Sequence, residues 1–245
     1  MTSATTHVIS GTTRRSDGNW SEERMVSQLA DLKRLISRRH GGVPQRVVWM
    51  EQVHGAQVLP VTDEDGPIGP GDALITDRPN VLLTVHTADC VPVFLEAEGA
   101  VGVVHAGLTG ALKQIVPRAI RAMRREYKIR PDDLQIRFGP HICSSCYEMS
   151  PNNLALLEKY PEAKKYASPR GSRRFFSLVD LLVSQVAELG VRRLEADPRC
   201  TYHDAELFSS RRGHDHRQVS FVMLTRPGAT IPAPIHSRDS SGSNA

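Results

Sequence analysis

The chain has 245 residues, enough for one large domain or two small ones and for a core that needs no disulfide staples. Apolar residues make up 40% and charged residues 24%, which excludes collagen-like, disordered and membrane-spanning classes, and no apolar run approaches the roughly 18 residues of a spanning helix. A net charge of +4 suits an anionic substrate, but the charge is not concentrated, and aromatics at 5% leave few rings for stacking bases, so no nucleic-acid partner is expected.

The start, Met1 to Gly18, is polar and has no apolar stretch after Arg14 and Arg15. It does not resemble a secretory signal, and a cytoplasmic location with no membrane partner is expected. Ser21 to Arg39 carries Met25, Leu29, Leu32 and Ile36 at helical spacing before Gly41-Gly42, which predicts an amphipathic helix. Short β-branched runs follow at Arg46 to Met50, Ala56 to Val61, Asp72 to Thr76, Val81 to Thr87, Val91 to Glu96 and Ala100 to His105, each read as a strand. Leu112, Ile115, Val116, Ala119, Ile120 and Met123 mark one face of a long helix that Pro117 should kink or restart.

A strand at Leu134 to Phe138 precedes a cysteine-containing turn. Ser150-Pro151 reads as a cap and first-turn proline, and Ser177 with Asp180 opens a second helix closed by Gly190. Lys164 to Arg174 reads as a basic loop. A strand near Arg192 to Ala196, a loop over Asp197 to His216 and a strand over Val219 to Leu224 complete the pattern. The Pro/Ser/Gly-rich tail, 227–245, is expected to be disordered, leaving one α+β domain over 1–226.

Three segments place a soft or borderline metal ligand beside a predicted strand end: Gln52-Val53-His54-Gly55, Ala88-Asp89-Cys90-Val91 and Val104-His105-Ala106-Gly107. Two imidazoles and one thiolate are a known catalytic zinc set with a fourth position left open. Small neighbours, Gly55, Ala88, Ala106 and Gly107, would let a ligand approach. The competing reading makes Cys90 a buried apolar residue and the histidines ordinary strand-end residues, and spacing alone leaves both open.

Those segments occur in order with Asp72-Ala73-Leu74-Ile75-Thr76-Asp77, Thr87-Ala88-Asp89-Cys90-Val91-Pro92-Val93, Gly139-Pro140, Cys146-Tyr147-Glu148, and Phe208-Ser209 with Arg211-Arg212. Together, from about Thr12 to Leu224, they resemble the YfiH family, also called the polyphenol oxidoreductase laccase or DUF152 family. The resemblance implies two packed mixed β-sheets flanked by helices, similar to cysteine-hydrolase-like folds, and a zinc site at His54, Cys90 and His105. It further implies purine nucleoside phosphorylase activity with adenosine deamination. The substrates would be adenosine, inosine, guanosine or methylthioadenosine, with phosphate as cosubstrate.

Four positions depart from the family pattern. Leu108-Thr109-Gly110 stands where a tryptophan and Arg-Gly are usual, His86 where a small or apolar residue is usual, and His141 where a cysteine is usual. Asp215-His216-Arg217 replaces a Thr-Gly-Arg stretch.

Zinc at the three ligands would lower the pKa of a bound water to about 7, giving a nucleophile for C6 of adenosine. Phosphorolysis needs a phosphate site instead. Arg211, Arg212 and Arg217 are the candidate guanidinium forks: Arg212 is taken as catalytic and Arg211 and Arg217 as substrate-binding, against the reading of a solvated basic loop. Asp89 is the candidate proton carrier and Asp72 a weaker one, or an orienter of a histidine; the alternative is that each satisfies backbone donors. Glu148 is taken as a nucleoside contact that could equally cap the helix after it.

Cys143-Ser144-Ser145-Cys146 evokes the nucleoside deaminases, but no histidine here is followed two residues later by glutamate, so these thiols are read as structural. His214-Asp215-His216 is read as an exposed loop. Copper would also fit two histidines and a cysteine, yet ten histidines without paired clusters do not suit multicopper oxidation. Two other functions remain open: an amidase editing cell-wall precursors, and a metal-binding paralogue without catalysis.

Overall fold

The computed structural model describes residues 7–225; the proposed tail lies outside them. In chain order the elements are β1 (His7–Thr12), α1 (Met25–His40), β2 (Arg46–Gln52), β3 (Val58–Pro60), β4 (Gly66–Gly71), β5 (Ala73–Thr76), β6 (Val81–Thr87), β7 (Val91–Ala97) and β8 (Ala100–Ala106). They continue with α2 (Leu108–Leu112), α3 (Ile115–Tyr127), β9 (Gln135–Phe138), α4 (Pro151–Leu157), β10 (Ala167–Arg170), β11 (Arg173–Phe176), α5 (Leu178–Ala187), β12 (Arg193–Ala196) and β13 (Gln218–Thr225). Among the described residues no helix is long and apolar enough to cross a membrane.

Two mixed sheets carry the domain. One runs β1-β13-β6-β2-β4 and the other β12-β9-β7-β8-β5-β3. Strand alternation explains how they stack. In β8, Val101 and Val103 join Val48, Leu83 and Val222 of the first sheet in a core between the sheets, while Ala100, Val104 and Ala106 face Ala119, Ile120 and Leu182 of the helices. In β6 and β13, Leu82, Phe221 and Met223 turn the other way, onto Met25, Leu32 and Ile36 of α1. Period-2 side chains thus bury both faces of each sheet and give a helix, sheet, sheet, helix stack. This is the α+β architecture that the sequence and its resemblance predicted.

Local chemistry explains the boundaries. Pro117 restarts the helix rather than kinking it: α2 ends at Leu112, Gln114 takes a left-handed φ of 61°, and Pro117 falls in the first turn of α3, where its missing N–H costs nothing. Ser150 and Ser177 cap α4 and α5 by accepting from the N–H groups of Asn153 and Asp180.

Two strands lie where the sequence suggested none, and one expectation is corrected. The polar start contains β1, paired antiparallel with β13 along its length. The Gly/Pro stretch 66–71 is β4, an edge strand beside β2, where proline's missing donor is tolerated. The basic loop is a short 3₁₀ turn and the hairpin β10–β11, joined by Gly171-Ser172 with Gly171 at φ 62°.

Candidate active site

His54 follows β2 of the first sheet, Cys90 lies in the turn where the chain passes from β6 to β7 and so from one sheet to the other, and His105 is in β8 of the second. Residues distant in sequence therefore meet where the two sheets open at one end. Their ligand atoms all lie within 4.8 Å of one another, and the imidazoles cross edge to face with centroids 4.7 Å apart. His105 is buried, Cys90 half-buried and His54 exposed, a gradient running from the core to a cleft of about 670 Å³ that all three line.

Asp72, wholly buried, ties two of these ligands together. One carboxylate oxygen accepts from the His54 N–H at 3.0 Å and pairs with His105 Nδ1 at 2.8 Å, and the other accepts from the Gly55 N–H at 2.6 Å. A carboxylate on Nδ1 leaves Nε2 as the free ligand atom and fixes the ring's orientation. Of the two roles weighed for Asp72, the geometry matches the orienter.

Burial pushes the Cys90 thiol up, but the charge of His105 and hydrogen bonds from His105 and His54 outweigh it and bring the group down to about 6. Burial pushes His105 down, and the Cys90 charge with the Asp72 hydrogen bond lifts it to about 9. A thiolate against an imidazolium is what a soft cation would displace a proton from.

The residues present fit such a cation. A Cβ on Gly107 would meet Cys90 Sγ at 3.1 Å and His54 Cδ2 at 3.2 Å, so glycine there leaves the ligands room to converge. Two residues of the site hold left-handed backbones that L side chains seldom adopt, His54 at φ 54° and Asp89 at φ 96°. Such strain, of order 1–3 kcal/mol each, persists only where surrounding bonds fix it. For Asp89 they do: its carboxylate accepts from the Thr201 hydroxyl at 2.6 Å and the Arg211 N–H at 2.7 Å, and its carbonyl from the Ile142 N–H at 3.0 Å.

The remaining sequence candidates separate. Arg211 and Arg217 line the cleft, as does Asp89. Arg211 lies 5.6 Å over the Tyr147 ring and donates to the carbonyls of Cys146 and Glu148. Arg212 is not brought to the cleft: its guanidinium donates to the carbonyls of Tyr202, Asp204 and Leu207 and pins their loop. Glu148 is also outside, its carboxylate facing Arg173 of the hairpin at 3.4 Å.

Sequence reasoning left out Tyr147 as a cleft wall, and Asp215, assigned to a plain exposed loop, also lines the cleft. Tyr147 keeps its proton up to about 12 because it is buried near the Cys90 charge. His86 lies at the cleft floor, only 4% exposed, with neither ring nitrogen hydrogen-bonded among the described residues. Burial, with the charges of His105 and Arg217, lowers it to about 3 and keeps it neutral.

Residues 23–225 match the family model for multi-copper polyphenol oxidoreductase laccases. The chain belongs to this family. A purine nucleoside phosphorylase of Streptomyces coelicolor is 36% identical over 184 residues, covering 74% of this chain and 75% of the relative. One from Corynebacterium glutamicum is also 36% identical, over 193 residues, covering 75% and 76%. The purine nucleoside phosphorylase YfiH of Shigella flexneri is 29% identical over 78% of this chain and 79% of its own. The fold is shared with the crystal structure of a hypothetical YfiH protein of Bacillus licheniformis, at a TM-score of 0.77 and 22% identity over 91% of this chain and 98% of that one.

The multi-copper description sits awkwardly on the ligands present. Among the described residues, neither of the two clusters able to hold a metal contains more than two imidazoles, whereas dioxygen reduction by several coppers needs many.

Proposed function

We propose that this family member is a zinc-dependent purine nucleoside phosphorylase that also deaminates adenosine. The observation that carries the reading is the convergence of His54, Cys90 and His105 on the wall of a cleft that also presents Arg211 and Arg217. Cleft volumes of roughly 300–1,000 Å³ are usual for small-molecule sites, and about 670 Å³ falls within that range. A metal cluster sealed off from any cavity would instead have favoured a protein that binds metal without catalysis. The names of the relatives support the phosphorylase assignment.

Zinc at the triad would supply a Lewis acid that lowers the pKa of a water molecule and polarises a purine or ribose oxygen or nitrogen. The chain's own groups do the rest. Arg211 and Arg217 hold phosphate and neutralise its charge. A phosphate oxygen bonds to C1′ while the C1′–N9 bond breaks, its electron pair leaves on the purine, and a proton is taken up there, giving free base and ribose 1-phosphate. Tyr147 with the Arg211 guanidinium over its ring forms the wall against which a flat base packs, and its hydroxyl stays protonated through the neutral range. We assign Asp89 and Arg212 as positioning residues, since their polar atoms hold the 201–212 loop that presents Arg211.

In deamination, water adds at C6 and ammonia leaves, converting adenosine to inosine without phosphate. The deciding experiment incubates adenosine with metal-quantified protein, with and without phosphate. Adenine formed only with phosphate, and inosine formed either way, are the expected products. No turnover by fully zinc-loaded protein, or preferential release of an amino acid from a muramyl-linked substrate, would reject the reading. Copper at the triad in the active preparation would reject zinc. Arg217→Ala should raise the KM for phosphate roughly 10-fold, the cost of one charge-assisted hydrogen bond.

A further inference from the structure

Cys143, Cys146, Cys200 and His203 take no part in the cleft chemistry, and their ligand atoms all lie within 4.8 Å of one another. They come from two segments of equal spacing, Cys-x-x-Cys and Cys-x-x-His. The segments also have the same backbone. The Cys143 carbonyl accepts from the N–H groups of Cys146 and Tyr147, each at 3.0 Å, and the Cys200 carbonyl from those of His203 and Asp204, at 3.0 and 2.8 Å. Each turn therefore brings its two ligand-bearing residues to one side.

A parallel bridge between His141 and Cys200 lays the turns side by side. Cys200 Sγ accepts from the Cys143 N–H at 3.3 Å, and Cys146 Sγ is 3.2 Å from His203 Nε2. Backbone N–H donation to sulfur stabilises a thiolate over a thiol, and all four cysteines of the chain are free.

We infer that these four residues are a second metal site, a closed tetrahedral Cys₃His centre for a structural zinc ion. Three thiolates and an imidazole select a soft or borderline ion over magnesium or calcium, and four protein ligands leave no coordination position for substrate.

Its role follows from what the two turns adjoin. Residues 197–217 connect β12 to β13 with only one short 3₁₀ turn among them, and a loop of that length is costly to hold in one conformation. The ion would fasten that loop to 141–147. Next to Cys146 stands Tyr147, a wall of the cleft. Next to Cys200 stands Thr201, whose hydroxyl holds Asp89, the residue before Cys90. The site is thus a clamp on the frame of the cleft.

The test counts metal in the full chain, purified without chelators. Two zinc ions per chain are expected, falling to one in Cys200→Ser, in His203→Ala and in Cys90→Ala, and to none in the Cys90→Ala/Cys200→Ser double variant. Cobalt exchange into the wild-type protein gives a readout independent of whether the variants fold. Sulfur-to-cobalt charge transfer from four thiolates per chain is expected, against one if only Cys90 binds. A single zinc per chain that Cys90→Ala alone removes, charge transfer from one thiolate, or a disulfide among Cys143, Cys146 and Cys200 in the purified protein would overturn the assignment.

Discussion

Among the described residues, the two clusters able to hold a metal are built from the same residue types and differ in how the fold holds them. His54, Cys90 and His105 sit on or beside the ends of strands from both sheets, number three, and face a cleft. Cys143, Cys146, Cys200 and His203 sit on two loop turns, number four, and line no part of that cleft. Three ligands on a rigid frame would leave a coordination position for chemistry, whereas four on loops would supply the frame that the loops lack. On the two proposals above, ligand count and secondary structure would divide the same ligand chemistry between reaction and support.

The largest test of that division is Cys90→Ala. Losing a metal bound at the cleft as proposed would forfeit several kcal/mol of transition-state stabilisation and should lower nucleoside turnover roughly 10³-fold or more. Activity retained in that variant, measured by product release, breaks the contrast outright.

Asp72→Asn should act next most strongly. The asparagine NH₂ cannot accept the hydrogen bonds that a carboxylate takes from His54, Gly55 and His105, and losing such a partner typically costs 10–100-fold in metal affinity. Competition against a zinc-sensitive dye reads this directly, and an unchanged affinity would remove Asp72 from the site.

The pH dependence of zinc uptake is a finer test. In the metal-free protein His105 carries a proton up to about 9 and Cys90 up to about 6. Zinc binding near pH 7.5 should therefore expel the His105 proton, and as pH falls through about 6 the Cys90 proton joins it and affinity drops more steeply. Calorimetry in two buffers of different ionisation heat measures the protons released, and a count that does not rise towards acid pH contradicts this.

The smallest expected effect is that of His86→Val. It replaces a buried imidazole whose nitrogens have no hydrogen-bond partner among the described residues by an apolar side chain, and should raise stability by about 1 kcal/mol, or about 2–4 °C in melting temperature for a chain of this size. A fall in stability would show that His86 has a partner that the protein alone does not supply.

What the sequence made legible follows from range. The buried strands β6, β7 and β8 lie in valine-containing, mostly apolar runs that the sequence places to within a residue or two, and the serine caps of α4 and α5 are local chemistry. β4 was hidden because Gly66-Pro67-Ile68-Gly69-Pro70-Gly71 has every mark of a turn and becomes a strand only by lying against β2. The hairpin β10–β11 was hidden by its arginines, although Gly171-Ser172 before Phe175-Phe176 was the signal.

In the site, His54, Cys90 and His105 were found through ordered motifs, since nothing local links them. Arg211 and Arg212 show the limit most plainly. They are neighbours in a loop without periodicity, both donate to backbone carbonyls, and only tertiary contacts set Arg211 at the cleft and carry Arg212 away from it. Cys200 and His203 went unpaired with Cys143 and Cys146 because more than fifty residues separate the turns, and the repeated spacing was the one available hint.

The carboxylate of Asp72 holds both the backbone at His54 and the ring of His105. Two of the three candidate ligand residues are therefore placed by one buried side chain of the fold itself, and a cation bound as proposed would meet ligands that the protein's own hydrogen bonds orient. Chelation of the proposed ion should then leave the two sheets folded, and zinc added back should restore turnover without refolding.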